Sequence, residues 1–194
     1  SQMATSAAQT ASSTKRWECS RDVIEKLNMA ELEGEGGWWA PSYTSDTMME
    51  LPSSVEVADG RSRSRPVMTC IYFLMEKGNF SAFHRLHNND ELWCFHSGEP
   101  IALHAIDSSG ELHSFQLGGT HGHQCVMRRG WWFAAQCTGS WAVVTCTVAP
   151  GFDFDDFELA NRGELTLQFP ECKELIRSLT REEPHVAEAS TPYS

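Results

Sequence analysis

Gly78-Asn79-Phe80-Ser81-Ala82-Phe83-His84-Arg85-Leu86-His87-Asn88-Asn89-Asp90-Glu91-Leu92-Trp93-Cys94-Phe95-His96-Ser97-Gly98 sets a histidine and a glutamate into apolar, aromatic sequence between two glycines. Histidine is the side chain whose charge changes near neutral pH, and a carboxylate close by orients its ring. His84 and Glu91 therefore form a candidate acid–base pair, with a structural His–Glu hydrogen bond as the plainer alternative. Leu86, two residues beyond His84, carries no donor atom and limits what the stretch can hold.

A second stretch, Gly122-His-Gln124-Cys-Val-Met-Arg128-Arg129-Gly130-Trp131-Trp132-Phe133-Ala-Ala-Gln-Cys137, is also framed by glycines. Strand neighbours point to opposite faces, so Trp131 and Trp132 must separate across the sheet. Just before it, Gly118-Gly119-Thr120-His121-Gly122-His123 reads as a polar turn, although His121 and His123 would share a face of a strand.

At every interval the first stretch resembles the first cupin motif, Gly-x5-His-x-His-x4-Glu-x6-Gly. The second resembles the other cupin motif, Gly-x5-Pro-x-Gly-x2-His-x3-Asn. The residues depart from the pattern at four places. Leu86 and Phe133 replace two histidines, Arg128 replaces the proline, and Cys137 replaces the asparagine. The resemblance implies a metal held by three histidines and a glutamate. Of that set only His84 and Glu91 remain, fewer protein ligands than a tight site needs. The expectation is a metal-poor protein without a cofactor. A divalent transition metal is the weaker alternative, and its donors would be His84, Glu91 and His87.

Further blocks resemble a narrower group, the Cupin_5 family, also called DUF985. They are Glu35-Gly36-Gly37-Trp38-Trp39, Tyr43-Thr44-Ser45-Asp46, Ile71-Tyr72-Phe73-Leu74, and Cys146-Thr-Val-Ala-Pro150-Gly151-Phe152-Asp153-Phe154 with Phe157-Glu158-Leu159-Ala160. They keep their order from about Leu32 to Thr180. The resemblance implies an all-β fold, a cupin jelly-roll β-barrel with short flanking N- and C-terminal helices. It places His84, Glu91 and the Phe133 position at the centre of the barrel. Trp39, Tyr43, Trp93, Gln124 and Trp132 lie in blocks that would form the pocket wall.

The residues themselves point to the same class. Met68–Met75, Leu92–His96, Ile101–Ile106, Leu112–Leu117, Trp131–Ala135 and Trp141–Val148 are β-rich runs separated by turn signals. Asp107-Ser-Ser-Gly110 marks a hairpin. Ser20 can cap a helix over 21–31, ended by Gly34, Gly36 and Gly37. Cys172, Leu175, Ile176 and Leu179 predict a short amphipathic helix, with Arg181 on its solvent side. Arg61, Arg63 and Arg65 read as a solvated loop. Residues 1–16 lack large apolar residues and are expected to be a disordered arm. A single domain would span 17–182, and 183–194 a flexible tail.

The chain has 194 residues, 41% of them hydrophobic, enough for one domain with its own core. A net charge of −11 argues against nucleic-acid binding. No apolar run has the length of a membrane span, and no secretory signal is visible. Seven cysteines in no paired spacing suit a reducing, intracellular setting, the cytoplasm first and an organelle as the alternative.

The expected partners are a small-molecule ligand and a second copy of the chain in a homodimer. The expected chemistry is that of an epimerase, isomerase or lyase, with His84 as base, Glu91 as its acid partner and Tyr43 or Tyr72 opposite. A non-catalytic small-molecule binder and a metal-dependent oxygenase or lyase are the alternatives.

Overall fold

A computed structural model describes residues 17–55, 57 and 61–182. The expectations for an N-terminal arm over 1–16 and a tail over 183–194 lie outside the described residues. The elements run α1 (Ser20–Leu27), β1 (Ala30–Glu31), β2 (Trp38–Thr44), β3 (Met48–Glu50), β4 (Ser64–Pro66), β5 (Thr69–Glu76), β6 (Phe80–Leu86) and β7 (Asp90–Gly98). Then come β8 (Ile101–Ile106), β9 (Leu112–Leu117), β10 (Gln124–Met127), β11 (Trp132–Cys137), β12 (Trp141–Ala149), β13 (Phe157–Leu159), α2 (Arg162–Gln168) and α3 (Lys173–Ser178).

Two antiparallel sheets face each other. One has the order β1-β2-β5-β12-β7-β10 and the other β13-β6-β11-β8-β9, while β3 and β4 form a separate hairpin. This is the expected all-β jelly roll with short flanking helices. Alternation along each strand divides its side chains between two layers. The inner layer joins Phe73, Trp93, Leu103, Phe133, Val144 and Cys146 between the sheets.

The alternate residues of each strand point outward. Leu74 and Val143 of the six-stranded sheet are covered by Val23 and Met29 from α1 and its exit. Phe83, Trp132 and Ala134 of the five-stranded sheet are covered by Leu165, Ile176 and Leu179. The apolar spacing read at the C-terminus is thus the face that closes the outside of the barrel, not part of the pocket.

Two local expectations are corrected. The first helix stops at Leu27, because Asn28 takes the left-handed conformation (φ 50°, ψ 50°) and its N–H caps the last turn. Asparagine tolerates that conformation better than most residues. The chain then pairs Ala30 and Glu31 with β2 as a strand. Ser20 is not the cap either; its hydroxyl donates to Glu76 Oε1 at 2.6 Å and ties the helix to β5.

The basic run at 61–65 is the second correction, since Arg65 is fully buried. Its Nε donates to Asp156 Oδ2 at 2.8 Å. Asn88 Nδ2 donates to the other oxygen of Asp156 at 2.6 Å. Asp156 belongs to the segment after Pro150-Gly151, which returns across β4, so a charge that looks solvated in sequence finds its partner through the fold. By contrast, the hairpin at 107–110 forms as read. Asp107 Oδ1 accepts from the backbone of Ser109 and Glu111 at 2.8 and 3.0 Å, an Asx-type turn.

Candidate functional site inside the barrel

His84 lies on β6 with its side chain inward and is 3% exposed. Its ladder partners are Phe133 on β11 and Leu159 on β13. The ring meets Phe133 at 4.1 Å between centroids and Phe157 at 5.4 Å. Nδ1 lies 2.7 Å from the carbonyl oxygen of Ala82. A carbonyl only accepts, so Nδ1 carries a proton, and in the neutral ring the lone pair is on Nε2.

Glu91 begins the inward face of β7, opposite Met127 and Val148. Burial pushes its carboxyl up to about 7. The nearby His84 opposes that rise, Glu35 adds to it, and the Cys146 thiol and Trp93 indole N–H favour the charged form. Burial beside carboxylates in turn raises the Cys146 thiol well above the usual thiol range. Cys146 is therefore a protonated neighbour of Glu91 and not a nucleophile.

Glu35 is the residue that the sequence did not single out as functional. It enters from the loop between β1 and β2 and is buried. Its Oε1 accepts from Ser81 Oγ at 2.7 Å and lies 4.0 Å from His84 Nδ1. Its backbone carbonyl accepts from Ala82 N at 2.9 Å. Arg181 holds the loop from outside, with Nε to Gly34 O at 2.8 Å and Nη2 to Glu35 O at 3.1 Å. The expected solvent-facing Arg181 is thus a clamp. Gly36 sits at φ +100°, and a Cβ there would collide with the Arg181 guanidinium and with Phe80 O. Glu35 was visible only as part of Glu35-Gly36-Gly37, and a glycine loop has no periodicity that assigns a face.

Of the candidate site residues, His84, Glu91, Trp93 and Phe133 come together in the interior. Trp93 stands edge-on to Phe73 and Phe133, at 5.7 and 6.4 Å. Trp39 packs against the same inner layer, opposite Phe73. Three others lie elsewhere. Tyr43 is 51% exposed, because a register shift between Pro41 and Tyr43 turns it to the outer face opposite Cys70. Gln124 is exposed at the start of β10, where the inward positions are Cys125 and Met127. Trp132 faces outward into the helical layer, with the Arg85 guanidinium 4.4 Å from its ring centre. Its neighbour Trp131 takes the other face and stacks on His113 at 4.8 Å. Tyr72 lies on the outer side too, against the α1 layer.

A metal of the kind the cupin pattern implies does not fit this donor set. Leu86 and Phe133 fill the interior where two imidazoles would stand. His87 is turned to the outside, where its Nε2 lies 2.8 Å from Glu158. His121 and His123 are exposed in the turn after β9, so neither compensates. Among the described residues, three potential ligand atoms converge within 4.8 Å only at Asp107, Glu111 and His113, on the β8–β9 hairpin.

Comparison with known proteins agrees with the fold. The chain matches the family described as Cupin superfamily (DUF985) over residues 21–160. A protein of Shewanella oneidensis shares 32% identity, covering 86% of this chain and all of its own, with a TM-score of 0.74. A hypothetical protein from Leishmania major shares 24% identity over 84% of this chain and 99% of its own, also with a TM-score of 0.74. CapF, a capsular polysaccharide assembling protein of Staphylococcus aureus, shares the fold at 12% identity and a TM-score of 0.50, over 69% of this chain and 34% of its own. No curated protein matches the chain. Among the described residues no helix is long and apolar enough to cross a membrane. The glycine-framed β6–β7 and β10–β11 segments, each crossing from one sheet to the other, the inward His84 and Glu91, and the family match over residues 21–160 together place this chain in the Cupin_5 (DUF985) family of the cupin superfamily.

Proposed function

We infer that the barrel interior is a proton-transfer site for a small carbonyl compound, of the isomerase, epimerase or lyase type. The observation that supports this reading is the Glu91 carboxyl, buried beside His84 and Glu35 and held up at about 7. An acid kept neutral near physiological pH can donate to a developing alkoxide or enolate. His84 Nε2, with Nδ1–H engaged by Ala82 O, can take the proton from the carbon next to the carbonyl. The C–H electron pair moves toward the carbonyl oxygen as that oxygen takes the Glu91 proton. Returning a proton to carbon from the other direction, or expelling a β-leaving group, separates isomerisation from elimination. No step passes through a metal.

The test is solvent exchange. The protein is incubated in deuterium oxide with α-hydroxy carbonyl compounds, dihydroxyacetone first, and loss of the C–H signal is followed by NMR. Exchange should fall about 100-fold or more in His84→Ala and in Glu91→Gln. Exchange at the parental rate in both variants would end this reading.

A second reading is non-catalytic small-molecule binding. It is favoured by the enclosure of the site, with His84 3% and Trp93 1% exposed. Saturable binding without any C–H exchange would select it.

A further inference from the structure

Two features of the interior lie outside the His84–Glu91 pair. The first is Trp93 Nε1–H. The side chain is 1% exposed, and this N–H has no hydrogen-bond partner among the described residues. It lies near enough to Glu91 to favour that group's charged form, but without the geometry of a hydrogen bond. Its ring neighbours Phe73 and Phe133 stand at 74° and 88° to the indole, 5.7 and 6.4 Å away between centroids, and carry no oxygen or nitrogen acceptor. A buried donor left unpaired is unfavourable, and an acceptor that reaches it relieves the cost.

The second feature is the charge of the inward positions. Among the described residues, the strands of the two sheets carry a single arginine and no lysine. That arginine, Arg85, points outward to Glu158 at 2.7 Å. Arg65 is taken by Asp156, and Arg128 and Arg129 are exposed in the turn between β10 and β11. Two carboxyl groups, Glu35 and Glu91, stand inside with His84. An anion brought among them would lose its hydration and gain no cation to replace it, apart from an imidazole already flanked by carboxylates.

We propose that the barrel takes a small uncharged ligand bearing a carbonyl or hydroxyl oxygen, held by Trp93 Nε1–H beside the Glu91 carboxyl, and excludes molecules bearing phosphate or carboxylate. This names the ligand class of the proton-transfer site and rests on that reading for the identity of the site. The ligand oxygen accepts from Trp93, and the carbon next to it lies within the reach of the His84 base. Apolar parts of the ligand meet Phe73 and Phe133.

The test reads binding apart from turnover. The full chain is labelled with 15N at its indoles, and the Trp93 resonance is assigned by its loss in Trp93→Phe, or by through-bond spectra of the parent if that variant does not fold. Dihydroxyacetone and dihydroxyacetone phosphate are titrated separately at millimolar concentrations. The expected result is a saturable shift of the Trp93 indole signal with the neutral probe, and affinity lower by about tenfold or more with the phosphate ester. A comparable or tighter response to the ester overturns the proposal, and so does the absence of a saturable shift with the neutral probe. A Trp93 shift without C–H exchange supports the ligand class and sinks the proton-transfer reading. Exchange without a Trp93 shift does the reverse.

Discussion

Phe133 stands directly across the β6–β11 ladder from His84, with 4.1 Å between ring centres. An aromatic ring thus occupies the space where the cupin pattern puts a metal-binding imidazole, and Leu86 does the same two residues along from His84. Both side chains are buried and fill volume that a coordination sphere would need. The site is an apolar wall around one histidine and its acids.

Metal content follows from that wall. Purified protein should carry well below about one equivalent of zinc, iron or manganese, because two protein ligands are too few for a tight site. Leu86→His/Phe133→His restores the missing donors and should raise bound metal toward about one equivalent. Elemental analysis of both proteins after dialysis checks this. A parent that retains stoichiometric metal would mean that donors outside the His84–Glu91 pair complete a site.

Glu91 makes stability depend on pH in a definite direction. Its folded value of about 7 lies above the 4.5 of an unperturbed glutamate. The folded state therefore holds a proton that the unfolded chain has already released, and stability falls as pH rises through this window. The loss is on the order of 3 kcal/mol between pH 4.5 and 7. Glu91→Gln stays neutral throughout and should lack this contribution. Urea unfolding of parent and variant at pH 5 and pH 8 should show the parent losing more stability than the variant. Parallel losses would mean that Glu91 is ionised in the folded protein across the whole range.

The Arg65–Asp156 pair is enclosed, with 0% and 2% of the side chains exposed. Removing Arg65 leaves Asp156 buried without its cation, and removing Asp156 leaves Arg65 with only the longer 3.6 Å contact to Asp153. Asp156→Ala and Arg65→Ala should each destabilise the protein by about 3–5 kcal/mol. Replacing both together by apolar residues of similar size, Arg65→Met/Asp156→Leu, should cost much less than the sum of the single changes. Denaturant midpoints for the three variants check this, and additive losses would show that the pair is not coupled.

The sequence was informative where a pattern repeats over several residues. Strand alternation, the 107–110 turn and the C-terminal apolar spacing identified strands, a hairpin and a short helix, and the resemblance to the cupin motifs implied an interior position for His84 and Glu91. Faces were misread where a single residue breaks the alternation. The irregularity between Pro41 and Tyr43 moves Tyr43 outward, and the outward phase of β11 carries Trp132 under the helices. Partners brought together only by the fold were also hidden. Glu35 reaches His84 across 49 positions of sequence (84 − 35) and Arg65 reaches Asp156 across 91. No local signal marks either contact.

The same kind of distant contact gives Arg181 its importance to the site. The guanidinium lies at 146–147 positions' separation from the loop it holds, donating to Gly34 O and Glu35 O, and also to Asn79 Oδ1 and Phe80 O at 3.1 Å each. Its carbon sits 4.4 Å from the Phe80 ring centre. Arg181→Ala removes four donated hydrogen bonds and the stack on Phe80. The expected destabilisation is about 2–3 kcal/mol, the range for hydrogen bonds made by a charged donor. The loop itself should open more readily. Gly36 N donates to Leu32 O at 2.7 Å and Leu32 N to Gly37 O at 3.0 Å, so hydrogen exchange at these two amides reports the clamp directly. Both should exchange at least tenfold faster in Arg181→Ala, one decade being about 1.4 kcal/mol of local stability. Arg181→Lys should recover only part of the protection, because an ammonium group is a point donor and cannot match the planar fork that spans the loop and β6. Full protection in Arg181→Lys would assign the clamp to charge alone. Unchanged exchange in Arg181→Ala would show that Gly36 and Gly37 hold Glu35 in place without help from the C-terminal segment.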